Sequence, residues 1–130
     1  MFCADSSSWI PYLAGESGSD VELIDAHLSQ HSIVMSPAVL AELFSNPTLS
    51  AEAKRFLLDI PMLDLLPGFW DGAGLTRAGL LKQKCKPKLT DTLIAQVCID
   101  HNIPLHTRDT DFRPFAKHAG LQLILHGLVN

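Results

Sequence analysis

Short apolar runs alternate along this chain with segments whose apolar residues recur at helical spacing, and this alternation restricts the fold more than any other feature. Residues 1–4 (MFCA), 33–35 (IVM), 62–66 (MLDLL), 103–107 (IPLHT) and 121–125 (LQLIL) are strand-length and bounded by polar or turn residues. Helical patterns separate them. Ser6 to Ser8 supply caps for a helix carrying Trp9, Tyr12 and Leu13. Ser19 and Asp20 open a second, with Val21, Ile24 and Leu28 on one face. Ser36-Pro37 starts a third, since proline at the first helical position loses no intrahelical donor. It holds Val39, Leu40, Glu42, Leu43 and Phe44 and stops near Asn46-Pro47. Further helices are predicted from about Ser50 to Asp59 and from Pro67 to about Lys84. Another is predicted from a Thr90 cap to His101-Asn102, and a last one around Phe112 to His118. Strands joined through helices imply an α/β domain with a mainly parallel sheet.

The 130 residues make one domain, 1–130, long enough to bury its own core without disulfides. Apolar residues at 47% against 18% charged exclude a disordered chain. No apolar run approaches the roughly 20 residues that span a bilayer. Asp5 and the serines after it come too early for a signal peptide. Cys3, Cys85 and Cys98 are odd in number and lack CxxC spacing, so neither a disulfide framework nor a thiolate zinc site is indicated. A cytoplasmic protein with reduced thiols is the simplest reading. Gly127 to Asn130 carry no signal.

The acids stand out against this background. Asp5 ends the first apolar run, and Asp109 ends the PLHTRD segment with Asp111 two residues on. Glu42 lies inside the apolar helix AVLAELF, and Asp91 sits in the first turn of LTDTLIAQV. Carboxylates are seldom set among apolar residues without compensation for desolvation. In an open parallel sheet the ligand crevice lies beyond the carboxyl ends of the strands, where strand order reverses. Carboxylates converging there repel one another unless a cation joins them. Hard oxygen ligands without His or Cys favour Mg²⁺ or Mn²⁺ over Zn²⁺. Such a site would activate water for in-line attack on a phosphodiester, with one ion or two. Each acid has a plainer reading. Asp5 can be a helix cap, Asp91 can complement a helix dipole, and Asp111 can cap the helix at Phe112.

The formal net charge is −4, from ten Lys and Arg against fourteen Asp and Glu. Setting the five site acids aside leaves nine acids against ten bases, so the body around the pocket is nearly neutral. A bound cation would reverse the pocket's effect on an approaching phosphate.

MFCADSSSWI, SPAVLAELF and KLTDTLIAQVCIDHNIPLHTRDTDFRPF followed by GLQLI resemble, in that order, the PIN domain, in particular the VapC-type toxins of bacterial toxin–antitoxin pairs. The resemblance covers nearly the whole chain, and residues 91–112 are its most specific part. It implies a three-layer α/β/α fold with a five-stranded parallel sheet in order 3-2-1-4-5, which sets Asp5 and Asp109 on adjacent strands. It carries the family's catalytic and metal-ligating acids onto Asp5, Glu42, Asp91 and Asp109. Asp111 matches an additional acid acting through water, and Ser7 and Thr107 match supporting hydroxyls. It implies Mg²⁺- or Mn²⁺-dependent endoribonuclease activity leaving 5′-phosphate and 3′-hydroxyl ends, a homodimer, and a small antitoxin protein filling the substrate groove.

Lys82, Lys84, Lys86 and Lys88, with Arg77, Arg108 and Arg113, form the one basic cluster. Lys86, Lys88 and Arg108 are the candidate RNA contacts, against the plainer reading of a solvated helix end. His27 and His31 share helical spacing but have no third ligand, and the other histidines are assigned nothing. Trp9, Tyr12, Phe69 and Trp70 read as core or interface rather than base-stacking platforms. Two other functions compete. A phospho-acceptor receiver domain would need paired acids after the first strand and a late lysine, where this chain has Ser6 and Arg108-Asp109. A non-catalytic RNA- or protein-binding module would not need the full acid set.

Overall fold

The structure is a computed structural model and describes residues 1–127. Residues 128–130 of the expected single domain lie outside the described residues. In chain order the elements are β1 (Phe2–Ala4), α1 (Ser6–Leu13), α2 (Ser19–Ser29), β2 (Ile33–Val34), α3 (Pro37–Phe44) and α4 (Ala51–Leu58). They continue with α5 (Phe69–Lys82), α6 (Leu89–Asp100), β3 (Leu105–Thr107), a 3-10 turn (Thr110–Phe112), α7 (Arg113–His118) and β4 (Leu123–Leu125).

The strands form one parallel sheet in order β2-β1-β3-β4. Cys3 pairs with Val34 on one side and with Leu105 on the other. From β1 the chain builds first toward β2 and later, on the opposite side, toward β3. The crevice between β1 and β3 is therefore the point where strand order reverses. Consecutive strand residues face opposite sides of a sheet. All three residues of β1 and both of β2 are buried, so helices cover both faces. The core gathers Trp9, Ile24, Met35, Leu57, Ile94, Phe112 and Phe115 around these strands.

The sheet has four strands, not five. The expected third strand, at the outer edge beyond β2, is reduced to a single parallel bridge between Met35 and Met62. Met35 N–H donates to Pro61 O at 2.8 Å and Leu63 N–H to Met35 O at 2.9 Å. The ladder ends there because Ser36-Pro37 turns the chain into α3 and Pro61 has no N–H to extend it. The apolar segment stays at the rim, with Met62, Leu65 and Leu66 each more than a third exposed.

Helix boundaries follow the sequence pattern closely, with three differences at the caps. The N-cap of α1 is Asp5 rather than a serine of 6–8, all three of which lie within the helix. α6 is capped by Lys88 rather than Thr90, and Thr92 Oγ1 donates to Lys88 O at 2.8 Å. Ser36 occupies the N-cap of α3, yet its buried hydroxyl accepts no cap bond.

Candidate metal centre

The carboxyl edge of β1 and β3 brings the acids together. Asp5 directly follows β1, and its N–H donates to His106 O at 3.0 Å, continuing the ladder. The same residue is the N-cap of α1, but its side chain makes no cap bond. Its carboxylate accepts instead from Ser7 Oγ at 2.6 Å. Ser7 Oγ also accepts from Arg108 N–H at 2.9 Å and lies 3.1 Å from Thr107 Oγ1. A serine has one hydroxyl proton. With that proton on Asp5, Ser7 cannot donate to Thr107; the Thr107 hydroxyl is left to turn to Ser7 Oγ or to the Asp5 carboxylate, and its oxygen accepts the Asp109 N–H at 2.9 Å. The two hydroxyls thus lock the end of β1 to the end of β3.

Asp109 caps the 3-10 turn, accepting the Asp111 N–H at 2.8 Å. This is the capping role that the sequence offered to Asp111. Asp111 is left exposed and joins Asp91 and Asp109: one carboxylate oxygen from each of the three lies within 4.8 Å of the others. Asp91 projects from the first turn of α6 and is 9% exposed.

Asp5 and Glu42 stand outside this close triad but act on it. Burial first, then repulsion from Asp109 and Glu42, against the Ser7 and Thr107 hydroxyls, pushes the Asp5 carboxyl up to about 6. Asp91 is also raised to about 6, by burial and then Asp109, with Lys88 opposing and Glu42 and Asp111 adding. Glu42 lies on the exposed side of α3, opposite the buried Val39 and Leu43, and accepts from Ser6 Oγ at 3.1 Å.

The donor set is carboxylate oxygen throughout, and among the described residues the one ion pair to it is Lys88, 4.0 Å from Asp111. That chemistry fits a hard divalent cation, held by Asp91, Asp109 and Asp111 with Asp5 and Glu42 at the periphery.

The three candidate RNA contacts separate. Lys86 and Lys88 are exposed beside the triad. Arg108 is committed to Asp20: its Nε donates to Oδ2 at 2.7 Å and its Nη2 to Oδ1 at 2.9 Å. Burial alone would raise the Asp20 carboxyl. The Arg108 fork and the Val21 N–H outweigh burial and hold it down at about 2. Gly18 makes room for this pair, since a Cβ there would stand 2.6 Å from Arg108 Nη2.

Sequence reasoning missed Asp20, which read as an ordinary first-turn acid of α2. It also missed a histidine pair: His106 Nδ1 lies 2.7 Å from His126 Nε2, and Ser19 Oγ lies 2.9 Å from His126 Nδ1. No spacing signal exists for contacts 88, 20 and 107 residues apart.

Residues 2–118 match the family model described as PIN domain. The chain belongs to the PIN domain family. None of the curated proteins matches it at a significant level. Among solved structures, it is similar to a chain of VapBC2 from Rickettsia felis bound to a DNA fragment from their promoter. The TM-score there is 0.75 at 20% identity, covering 95% of this chain and 97% of that one. It is also similar to a chain of DNA-bound VapBC from Salmonella typhimurium, with TM-score 0.71 at 18% identity, covering 95% and 96%. A third is VapBC-5 from Mycobacterium tuberculosis, a member of the VapBC family of toxin–antitoxin systems. Its TM-score is 0.58 at 20% identity, covering 72% and 81%. At these identities the likeness is one of fold. Among the described residues, no helix is long and apolar enough to cross a membrane.

Proposed function

We propose that this PIN-domain protein is a VapC-type toxin: a Mg²⁺- or Mn²⁺-dependent endoribonuclease, acting in the cytoplasm and held in check by a cognate antitoxin protein. The observation that carries this reading is the close approach of Asp91, Asp109 and Asp111, beside the buried Asp5, at the point where strand order reverses. A divalent ion bound there would supply Lewis-acid chemistry, polarising a phosphoryl oxygen and lowering the pKa of water. The chain's own residues do the rest. Asp91, Asp109 and Asp111 concentrate negative charge for the cation. Ser7 and Thr107 fix the Asp5 carboxylate, which stands ready to hold or accept a proton at the edge of the triad, and Glu42 adds negative charge beside it. Lys86 and Lys88 offset the acids where the RNA backbone approaches. The antitoxin partner is supported by the VapBC neighbours, and the homodimer by the family resemblance.

Cleavage of labelled structured RNAs tests the reading, with Mg²⁺ or Mn²⁺, with EDTA, and with Asp5→Asn and Asp91→Asn. Metal-dependent cleavage is expected, leaving 5′-phosphate ends. Each variant should lose at least about a hundredfold in rate, the equivalent of roughly 3 kcal/mol of transition-state stabilisation. Cleavage that survives both substitutions, in proteins that remain folded, overturns the assignment.

A further inference from the structure

A cavity of about 310 Å³ adjoins the acid triad, between the loop that ends α5 and the turn that precedes α7. Lys86, Pro87 and Lys88 line one wall and Pro114 the other, and Asp91 and Asp111 belong to both the cavity and the triad. We propose that this cleft seats the nucleotide next to the scissile phosphate of an RNA strand, with Lys86 and Lys88 on its phosphate. The proposal rests on the ribonuclease reading and adds to it the path by which the strand leaves the site.

Charge selects the path. Three cavities are larger: two, of about 590 and 490 Å³, lie along α1 and α4, the second reaching Glu42, and one of about 410 Å³ lies between α5 and the end of α7. None of them is lined by a single Lys or Arg, none adjoins the triad, and the first carries Glu16, Glu22, Asp25 and Glu52. A phosphate backbone is repelled there and attracted to the lysine-lined cleft. Size agrees: about 310 Å³ lies at the small end of ligand sites, which suits one nucleotide unit.

The loop is also shaped in advance. α5 ends in a Schellman motif, with Cys85 N–H on Leu80 O at 3.0 Å, Lys84 N–H on Leu81 O at 3.1 Å and Lys84 at φ 64°. Arg77 Nε then donates to Pro87 O at 3.1 Å, and Pro87 is buried. Bracing of this kind removes part of the ordering cost of binding. Among the described residues Lys88 has one ion-pair partner, the exposed Asp111 at 4.0 Å, which a phosphate can displace at little cost.

The test is fluorescence anisotropy of a labelled RNA hexamer, with Ca²⁺ as the ion, across 50–200 mM salt. The double variant Lys86→Gln/Lys88→Gln should bind at least about tenfold more weakly at the low-salt end. Its plot of log affinity against log salt should be shallower by roughly 1.4, about 0.7 for each lost single-strand phosphate contact. Lys54→Gln/Arg55→Gln removes the same charge from α4 and should leave that slope unchanged. Equal slopes for both double variants, or a wild-type slope in the cleft variant, overturns the proposal. Metal-dependent cleavage by the wild-type protein in that case leaves the ribonuclease reading standing. A wild-type protein that neither binds nor cuts RNA overturns both.

Discussion

At the scale of single residues, the Asp20–Arg108 pair shows what the sequence hides. Arg108 precedes Asp109 and reads from the chain as a cation waiting for RNA, while Asp20 reads as a helix-start acid. Folding joins them across 88 positions, with the Asp20 side chain fully buried and the Arg108 side chain 32% exposed. Asp5, Asp91 and Asp109 were legible for the opposite reason: each stands where a local pattern breaks, at a strand end or in a first helical turn. Breaking a buried pair from one side leaves an uncompensated charge, which typically costs about 3–5 kcal/mol. The partial exposure of Arg108 places Arg108→Ala near the low end. We expect a loss of about 3 kcal/mol in urea unfolding, and a smaller loss for Asp20→Asn/Arg108→Ala. The sign with pH follows from the depressed Asp20 value. Its contribution is present above the unfolded carboxyl value near 4 and fades as pH falls toward about 2. An Arg108→Ala protein as stable as the wild type would refute the pairing. The same measurement must precede any use of that variant to probe RNA contact.

At the scale of elements, helices were legible nearly to the residue because apolar periodicity and caps are local. The fifth strand was not. Its apolar run between Pro61 and Pro67 has the composition of a buried strand, but whether it pairs depends on how far β2 extends, and Pro37 sets that limit. The helix termini carry a second lesson. α2, α5 and α6 all end with a left-handed residue that is not glycine: His31 (φ 54°), Lys84 (φ 64°) and Asn102 (φ 53°). Glycine, absent from those positions, appears instead inside α5, at 72, 74 and 79. At Gly74 an added Cβ would meet nothing within 4 Å. Alanine there keeps the contacts, restricts the unfolded chain and should stabilise the protein by about 0.5–1 kcal/mol. A thermal melt of Gly74→Ala that moves down rather than up would mean that α5 packs against something at this face.

At the scale of the whole molecule, the acid site sets the stability in opposition to the body that carries it. Asp5 and Asp91, both raised to about 6, bind protons more tightly in the folded chain than in the unfolded one. Between about pH 4 and 6 the folded state therefore holds more protons, and these two groups make stability fall as pH rises. Above 6 the deficit is complete. His106 runs the other way: burial first, then His126, lowers it to about 4. Its folded form holds fewer protons between about 4 and 6.5, so it makes stability rise over nearly the same window. The melting profile of the wild type alone is thus flattened and diagnoses neither. The difference between Asp5→Asn and wild type isolates the carboxylate. Without added ion it should be near zero at pH 4 and should favour the variant by on the order of 3 kcal/mol at pH 7.5, since the carboxyl is raised from 3.8 to about 6 and each pKa unit is worth about 1.4 kcal/mol. A divalent ion should narrow that difference at pH 7.5. It binds only the folded, ionised site and contributes about 2.7 kcal/mol at a hundred times its dissociation constant. At pH 4.5 the same ion should shift the melt little. An equal shift by Mg²⁺ or Mn²⁺ at both pH values, or one that Asp91→Asn retains in full, would mean that the cation sits elsewhere on the protein.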